Sequence, residues 1–143
     1  MLRRSLLSVA AVAAVVSAPL AVAQTKDLKI ALISGKTGAL EAYAKQTTVG
    51  FALGLNYATN GTMMVGGRKI VVIEKDDQGK PDLGKSLLAA AYADDKVDLA
   101  VGTTSSGVAL AMLPVAEEYK KILLVEPAVA DAITGDKWNK YIF

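Results

Sequence analysis

The sequence predicts an α/β fold, a three-layer, doubly wound sheet whose strands run parallel. Three observations carry that prediction. Short uninterrupted apolar runs, each the length of a buried strand, recur along the chain from residue 28 onward. Segments with apolar residues at three- and four-residue steps separate them. Gly, Pro and Asn-Gly stand at the junctions, where the backbone must turn. Helices alternating with buried strands give parallel βαβ units, and right-handed crossovers then place helices on both faces of the sheet.

Each element follows in order. Residues 28–33 read as a first strand, ended by Ser34-Gly35. Residues 41–59 read as a long helix with Tyr43, Val49, Phe51, Ala52, Leu55 and Ala58 at helical spacing. Asn60-Gly61 closes it with residues that tolerate left-handed backbone. Residues 68–74 contain the β-branched run Ile70-Val71-Val72-Ile73, a buried strand. Asp76-Asp77-Gln78-Gly79 forms a loop, and Pro81 suits the first turn of a helix reaching residue 94. Residues 97–101 give a third strand, ended by Gly102. Residues 106–119 give a third helix that Pro114 starts or kinks. Residues 122–125 form a fourth strand, 128–134 a short helical turn ended by Gly135, and 140–143 a fifth strand.

Composition narrows the function. The chain has 143 residues with neither Cys nor His. Zero Cys excludes a disulfide scaffold and a Cys nucleophile, and zero His excludes a Ser-His-Asp triad and the commonest metal ligand. The N-terminus reads as an export signal: Met1-Leu2-Arg3-Arg4 is a positive start, residues 5–16 are small and apolar, and Ala21-Val22-Ala23 is a cleavage pattern. Cleavage after Ala23 is expected, leaving residues 24–143 as the mature domain. Removing Arg3 and Arg4 takes the 16 Lys+Arg to 14, equal to the 14 Asp+Glu, so the formal charge of +2 becomes zero. No basic run or aromatic-studded strand points to nucleic acid.

In a doubly wound sheet, ligands bind outside the carboxyl ends of the strands. That rule selects the loops at 34–43, 76–81, 102–108 and 126–131. Gly35-Lys36-Thr37 ends like a phosphate-binding loop, but the glycine that pattern needs is replaced by Ile30 within the strand. Asp76-Asp77 lacks the spacing of a calcium loop and reads as a solvated turn that orders the next helix. Ser105-Ser106-Gly107 lies between a strand end and a helix start, where free N–H groups and the helix dipole favour an anion and where a Ser also caps. Tyr43 suits either the core or a pocket wall. An exported α/β enzyme would have to use Asp76, Asp77, Glu126 or Asp131, and no nucleophile–base pair stands among them.

Taken together, ordered segments of the chain resemble the N-terminal lobe of periplasmic binding proteins of the leucine/isoleucine/valine-binding type. They are Lys29-Ile30-Ala31-Leu32-Ile33 leading to Thr37-Gly38 and Tyr43; Gly66-Gly67-Arg68-Lys69-Ile70; Lys75-Asp76-Asp77-Gln78-Gly79 with Pro81; Val101-Gly102-Thr103-Thr104-Ser105-Ser106-Gly107 through Pro114; and Glu126-Pro127-Ala128. The resemblance covers residues 27–143 and implies one lobe, incomplete at its C-terminus, of a two-lobe binder that closes on its ligand. It implies a periplasmic, non-enzymatic solute-binding component of an ABC importer, with a permease as partner and no cofactor or metal. A ligand-sensing lobe of a receptor is the neighbouring alternative. The resemblance places Ser106 on a ligand carboxylate, with Ser105 and Gly107 beside it. Ala128, Val129 and Ala130 meet the ligand's other end, and Tyr43 walls the pocket. Ala130 stands where the family usually has a hydroxyl that helps bind an α-amino group, so both an amino acid and an aromatic or aliphatic acid stay open. Lys80 replaces a frequent acidic helix cap.

Overall fold

The structure, a computed structural model, describes residues 26–143. The expected export signal and its cleavage point lie outside the described residues.

The strands are β1 (Leu28–Ser34), β2 (Met64–Val65), β3 (Arg68–Asp76), β4 (Leu99–Val101) and β5 (Ile122–Leu124). The helices are α1 (Glu41–Ala58), α2 (Pro81–Ala93) and α3 (Ser106–Tyr119), and a single 3-10 turn covers Asp131–Ile133. The sheet order is β2-β3-β1-β4-β5. β1 pairs in parallel with both β3 and β4, and β4 with β5. The chain leaves β1 through α1 toward β3, then returns through α2 to β4 on the other side of β1. That reversal is the switch point of a doubly wound sheet, and it puts the loops after β1 and β4 beside the crevice where ligands bind.

The pleat explains the layers. Alternate strand residues face opposite sides. Ile30 and Leu32 of β1, with Ile70 and Val101, pack on Phe51 and Leu55 of α1. Ala31 and Ile33, with Ala100 and Leu123, pack on Leu88 of α2 and Val108, Met112 and Leu113 of α3. α2 and α3 approach closely: a methyl group on Gly84 would lie 2.3 Å from Val108 Cγ1. The hydroxyl of Tyr92, on α2, donates to Ile122 O at 2.9 Å. Burial pushes that phenol up from its ordinary value.

Several expectations need correction. Helical spacing correctly gives α1, but Tyr43 and Val49 are exposed, and Phe51 and Leu55 carry its packing. Leu53 and Tyr57 are 64% and 89% exposed. β2, unpredicted, pairs antiparallel with Arg68 and Lys69 through a Gly66-Gly67 turn in which both glycines have positive φ. Pro114 lies inside α3 rather than starting it. The third strand begins at Leu99 instead of residue 97. The helical turn shrinks to Asp131–Ile133. At the end of the chain only Ile142 forms a bridge, with Leu123, although Phe143 N–H donates to Leu123 O at 3.1 Å.

At the amino edge of the sheet, Arg68 donates to Lys26 O at 2.7 Å, to Asp27 O at 2.8 Å and to Asp98 Oδ2 at 2.9 Å. Lys29 N–H donates to the same Asp98 oxygen at 2.9 Å. Burial pushes the Asp98 carboxyl up, but the Lys29 N–H and the Arg68 guanidinium outweigh it and hold the group below the ordinary carboxylate value.

Candidate functional site

The strand ends at the carboxyl edge carry four loops, and side-chain hydrogen bonds knit them together. Asp76 ends β3. Its carboxylate accepts from Thr37 N–H at 3.2 Å, Thr37 Oγ1 at 2.7 Å and Gln78 N–H at 2.9 Å, which ties the β1 loop to the β3 loop. Burial raises the Asp76 carboxyl, and these bonds more than reverse that, leaving it below its ordinary value.

Asp77 corrects the expectation of a solvated turn. It is 0% exposed. One carboxylate oxygen accepts from Gly79 N–H at 2.7 Å and the other from the Thr103 hydroxyl, also fully buried. A polar side chain so placed is tolerable because both of its oxygens are hydrogen-bonded. Gly102, just before Thr103, must be glycine: its φ is +150°, and a methyl group there would lie 2.1 Å from Ile33 O. The Gly102–Thr103 and Glu126–Pro127 peptide bonds are cis.

Ser106 behaves differently from a cap. Its Oγ accepts from Val129 N–H and Ala130 N–H, each at 3.2 Å. Ser105 occupies the N-cap position of α3 in extended conformation, and its side chain makes no capping bond. The first-turn N–H groups of α3 have no intrahelical acceptor by geometry, and they lie at the same edge as the half-buried Ser105 and Ser106 and the exposed Gly107. Below the Val129–Ala130 pair, Ala128 N–H donates to Thr103 O at 3.2 Å. The structure therefore brings together Ser106, Ala128, Val129 and Ala130. Tyr43 stands apart on the first turn of α1, exposed, which removes the core role.

Two cavities flank this edge. One of about 450 Å³ lies between α1 and the ends of β4 and β5, lined by Gln46, Gly50, Phe51, Val101, Leu124 and Glu126. A smaller one of about 180 Å³ is bounded by Val125, Ala128, Val129, Ala130, Asp131 and Phe143. Tyr43 lines neither. The candidate acids offer no nucleophile–base pairing: Asp76 and Asp77 are bound to neighbouring loops, and Glu126 and Asp131 are exposed. Sequence reasoning missed Thr103 and the buried role of Asp77. The available signal was a Thr immediately after a strand-ending glycine, facing an Asp-Asp-x-Gly loop.

Comparison with known proteins agrees with this architecture. A solved ABC-type branched-chain amino acid transporter protein from Rhodopseudomonas palustris is 73% identical with a TM-score of 0.81, over 82% of this chain and 32% of that one. LivJ, a branched-chain amino acid transporter substrate-binding protein from Streptococcus pneumoniae solved with isoleucine, is 25% identical with a TM-score of 0.74, over 82% of this chain and 33% of LivJ. A solute-binding protein of an ABC transporter from Rhodopseudomonas palustris BisB5, solved with 3,4-dihydroxybenzoic acid, is 33% identical with a TM-score of 0.71, over 82% of this chain and 31% of that one. The chain thus spans about a third of the length of the structures it matches. No curated protein matches it significantly. The sequence profile described as periplasmic binding protein matches residues 27–143, and with the one-lobe α/β architecture this settles the family: the chain belongs to the periplasmic binding proteins.

Proposed function

We propose that this lobe is part of an exported, non-enzymatic solute-binding component of an ABC importer, acting in the periplasm and delivering its ligand to a membrane permease. The ligand is a small carboxylate, held at the edge formed by Ser105, Ser106, Gly107, Ala128, Val129 and Ala130, with Tyr43 on the rim. The observation that carries this is the double acceptance by Ser106 Oγ. A hydroxyl that accepts two N–H bonds still has one proton to donate. Here that proton belongs to a residue at a helix N-terminus, where the dipole favours an anion. Isoleucine and 3,4-dihydroxybenzoate, bound by two relatives, share only a carboxylate as charged group of that sign. The exposed Val129 and the hydroxyl-free Ala130 favour an acid with an apolar or aromatic body over one that needs its amino group held.

In this reading a second lobe supplies the opposite wall, because burial of most of a small ligand's surface needs a closed cleft. Thermal-shift screening of the complete two-lobe protein with isoleucine, benzoate and 3,4-dihydroxybenzoate tests it, since a ligand of the native state raises stability by mass action. Ser106→Ala is expected to weaken the binding of whichever acid shifts by about 1–3 kcal/mol. Unchanged affinity would refute the assigned role of Ser106.

A further inference from the structure

We infer that Asp77 and Thr103 are a positioning pair that sets the height and orientation of the ligand-side backbone at Ala128, Val129 and Ala130. The inference rests on the carboxylate-site reading above, but its geometry is independent of any ligand. The Asp77 carboxylate is fixed from below by Gly79 N–H at 2.7 Å, and its main-chain N–H is fixed by Ser34 O at 3.1 Å. The Asp77 side chain is thus held by Gly79 of its own loop, and its backbone by the last residue of β1, before it meets Thr103. Its second oxygen takes the Thr103 hydroxyl, with both residues fully buried. Thr103 then presents its carbonyl to Ala128 N–H at 3.2 Å, and one and two residues on, Val129 and Ala130 reach Ser106 Oγ. The β5 loop has no other side-chain hydrogen bond across to the β4 side among the described residues. Backbone bonds also join the two strand ends, Gly102 N–H to Leu124 O at 3.0 Å and Glu126 N–H to Gly102 O at 3.3 Å; the hold that depends on a buried side chain runs through Asp77 and Thr103 to the backbone at Ala128.

Packing closes the pair off from water. A methyl group on Gly84 of α2 would lie 3.6 Å from Asp77 Cβ, and Gly84 also abuts Val108 in the first turn of α3. A buried carboxylate at this place is costly and unnecessary for the core, which is already filled by Leu88, Met112 and Leu113. What it provides is a directional hold on the Thr103 peptide, which a hydrophobic residue of the same size cannot give.

The test is hydrogen exchange on the protein without ligand, comparing Thr103→Val and Thr103→Ser with the unaltered chain. Thr103→Val is expected to speed exchange at the Ala128, Val129 and Ala130 amides by about tenfold relative to the Ile33 amide in the central strand. Thr103→Ser, which keeps the hydroxyl, restores the original ratio. A uniform rise across the lobe would mean a merely structural role and overturn the proposal, as would no change at the three amides. Where Thr103→Val does not fold, Thr103→Ala removes the hydroxyl without placing a methyl group against the Asp77 carboxylate, and the same ratio decides. A second readout is affinity for isoleucine and benzoate in the complete protein. A loss of about tenfold in Thr103→Val with rescue in Thr103→Ser supports positioning, whereas equal affinity in all three overturns it. If the unaltered protein binds neither acid, the carboxylate reading fails while the exchange ratio still judges the pair.

Discussion

The two faces of the sheet differ more than their sequences suggest. Against α2 and α3, Ala31, Ile33, Ala100 and Leu123 are completely buried, under Leu88, Val108 and Met112. Against α1, the burial fades from the centre outward. Ile30, Leu32 and Val101 are covered, yet Ile122 and Leu124 of β5, on the same face, are 43% and 42% exposed. α1 itself fully buries only Ala44. Both faces are comparably apolar in sequence, so apolar content does not decide coverage. Among the described residues, two helices cover one face and one helix covers the other, and the α2/α3 layer is the more deeply buried of the two.

That contrast can be broken by mutation. The largest effect is expected from Leu113→Ala, at about 2–5 kcal/mol by chemical denaturation. Leu55→Ala, on the thin face, should cost nearer 1 kcal/mol because part of its surface is already wet. Equal losses would erase the distinction between faces. Gly84→Ala should cost about 1–3 kcal/mol, as the added methyl group meets Val108. A neutral outcome would mean that α2 and α3 can slide apart cheaply.

A smaller effect is expected at the amino edge, which belongs to neither layer. Asp98 has its native value depressed below 3.8 by Lys29 N–H and Arg68, against the opposing pull of burial. Its contribution is present above that ordinary value and lost as pH falls through the depressed native one. Stability measured against pH should therefore decline more steeply in acid for the unaltered chain than for Asp98→Asn. Parallel curves would remove the assigned coupling. Smallest of all, Leu53→Gln on the open side of α1 should change stability by less than about 0.5 kcal/mol. A large loss would show that α1 is covered in the free protein.

Much of the fold was legible because it rests on periodicity. Ile70-Val71-Val72-Ile73 lies in a strand as read, although only Ile70 is buried and the other three are half-buried, and Pro81 and Ser106 stand at the starts of their helices. Two-residue β2 was not legible, since it has no period and is held by partner and turn alone. The face of α1 was not legible either. Val49 and Leu55 are equally apolar, and only the sheet beneath decides which one packs. At the site, Ser106 was visible from its place at a strand-to-helix junction, but its partners were not. Val129 and Ala130 come from a segment more than 20 residues later, and backbone N–H donors leave no mark in side-chain identity. Asp77 was misread for a related reason: an acidic pair next to Gly looks solvated until the residue that receives it, Thr103, is brought over from another strand.

Arg68 also has a consequence for how the chain enters the lobe. It grips the main chain at Lys26 and Asp27, immediately before β1, at the edge of the sheet opposite the loops of Ser106 and Ala130. The seven residues of β1 separate the two edges by roughly 20 Å at the usual rise per residue. The chain therefore enters the folded lobe at its base, at the end of β1 away from Ser106 and Ala130.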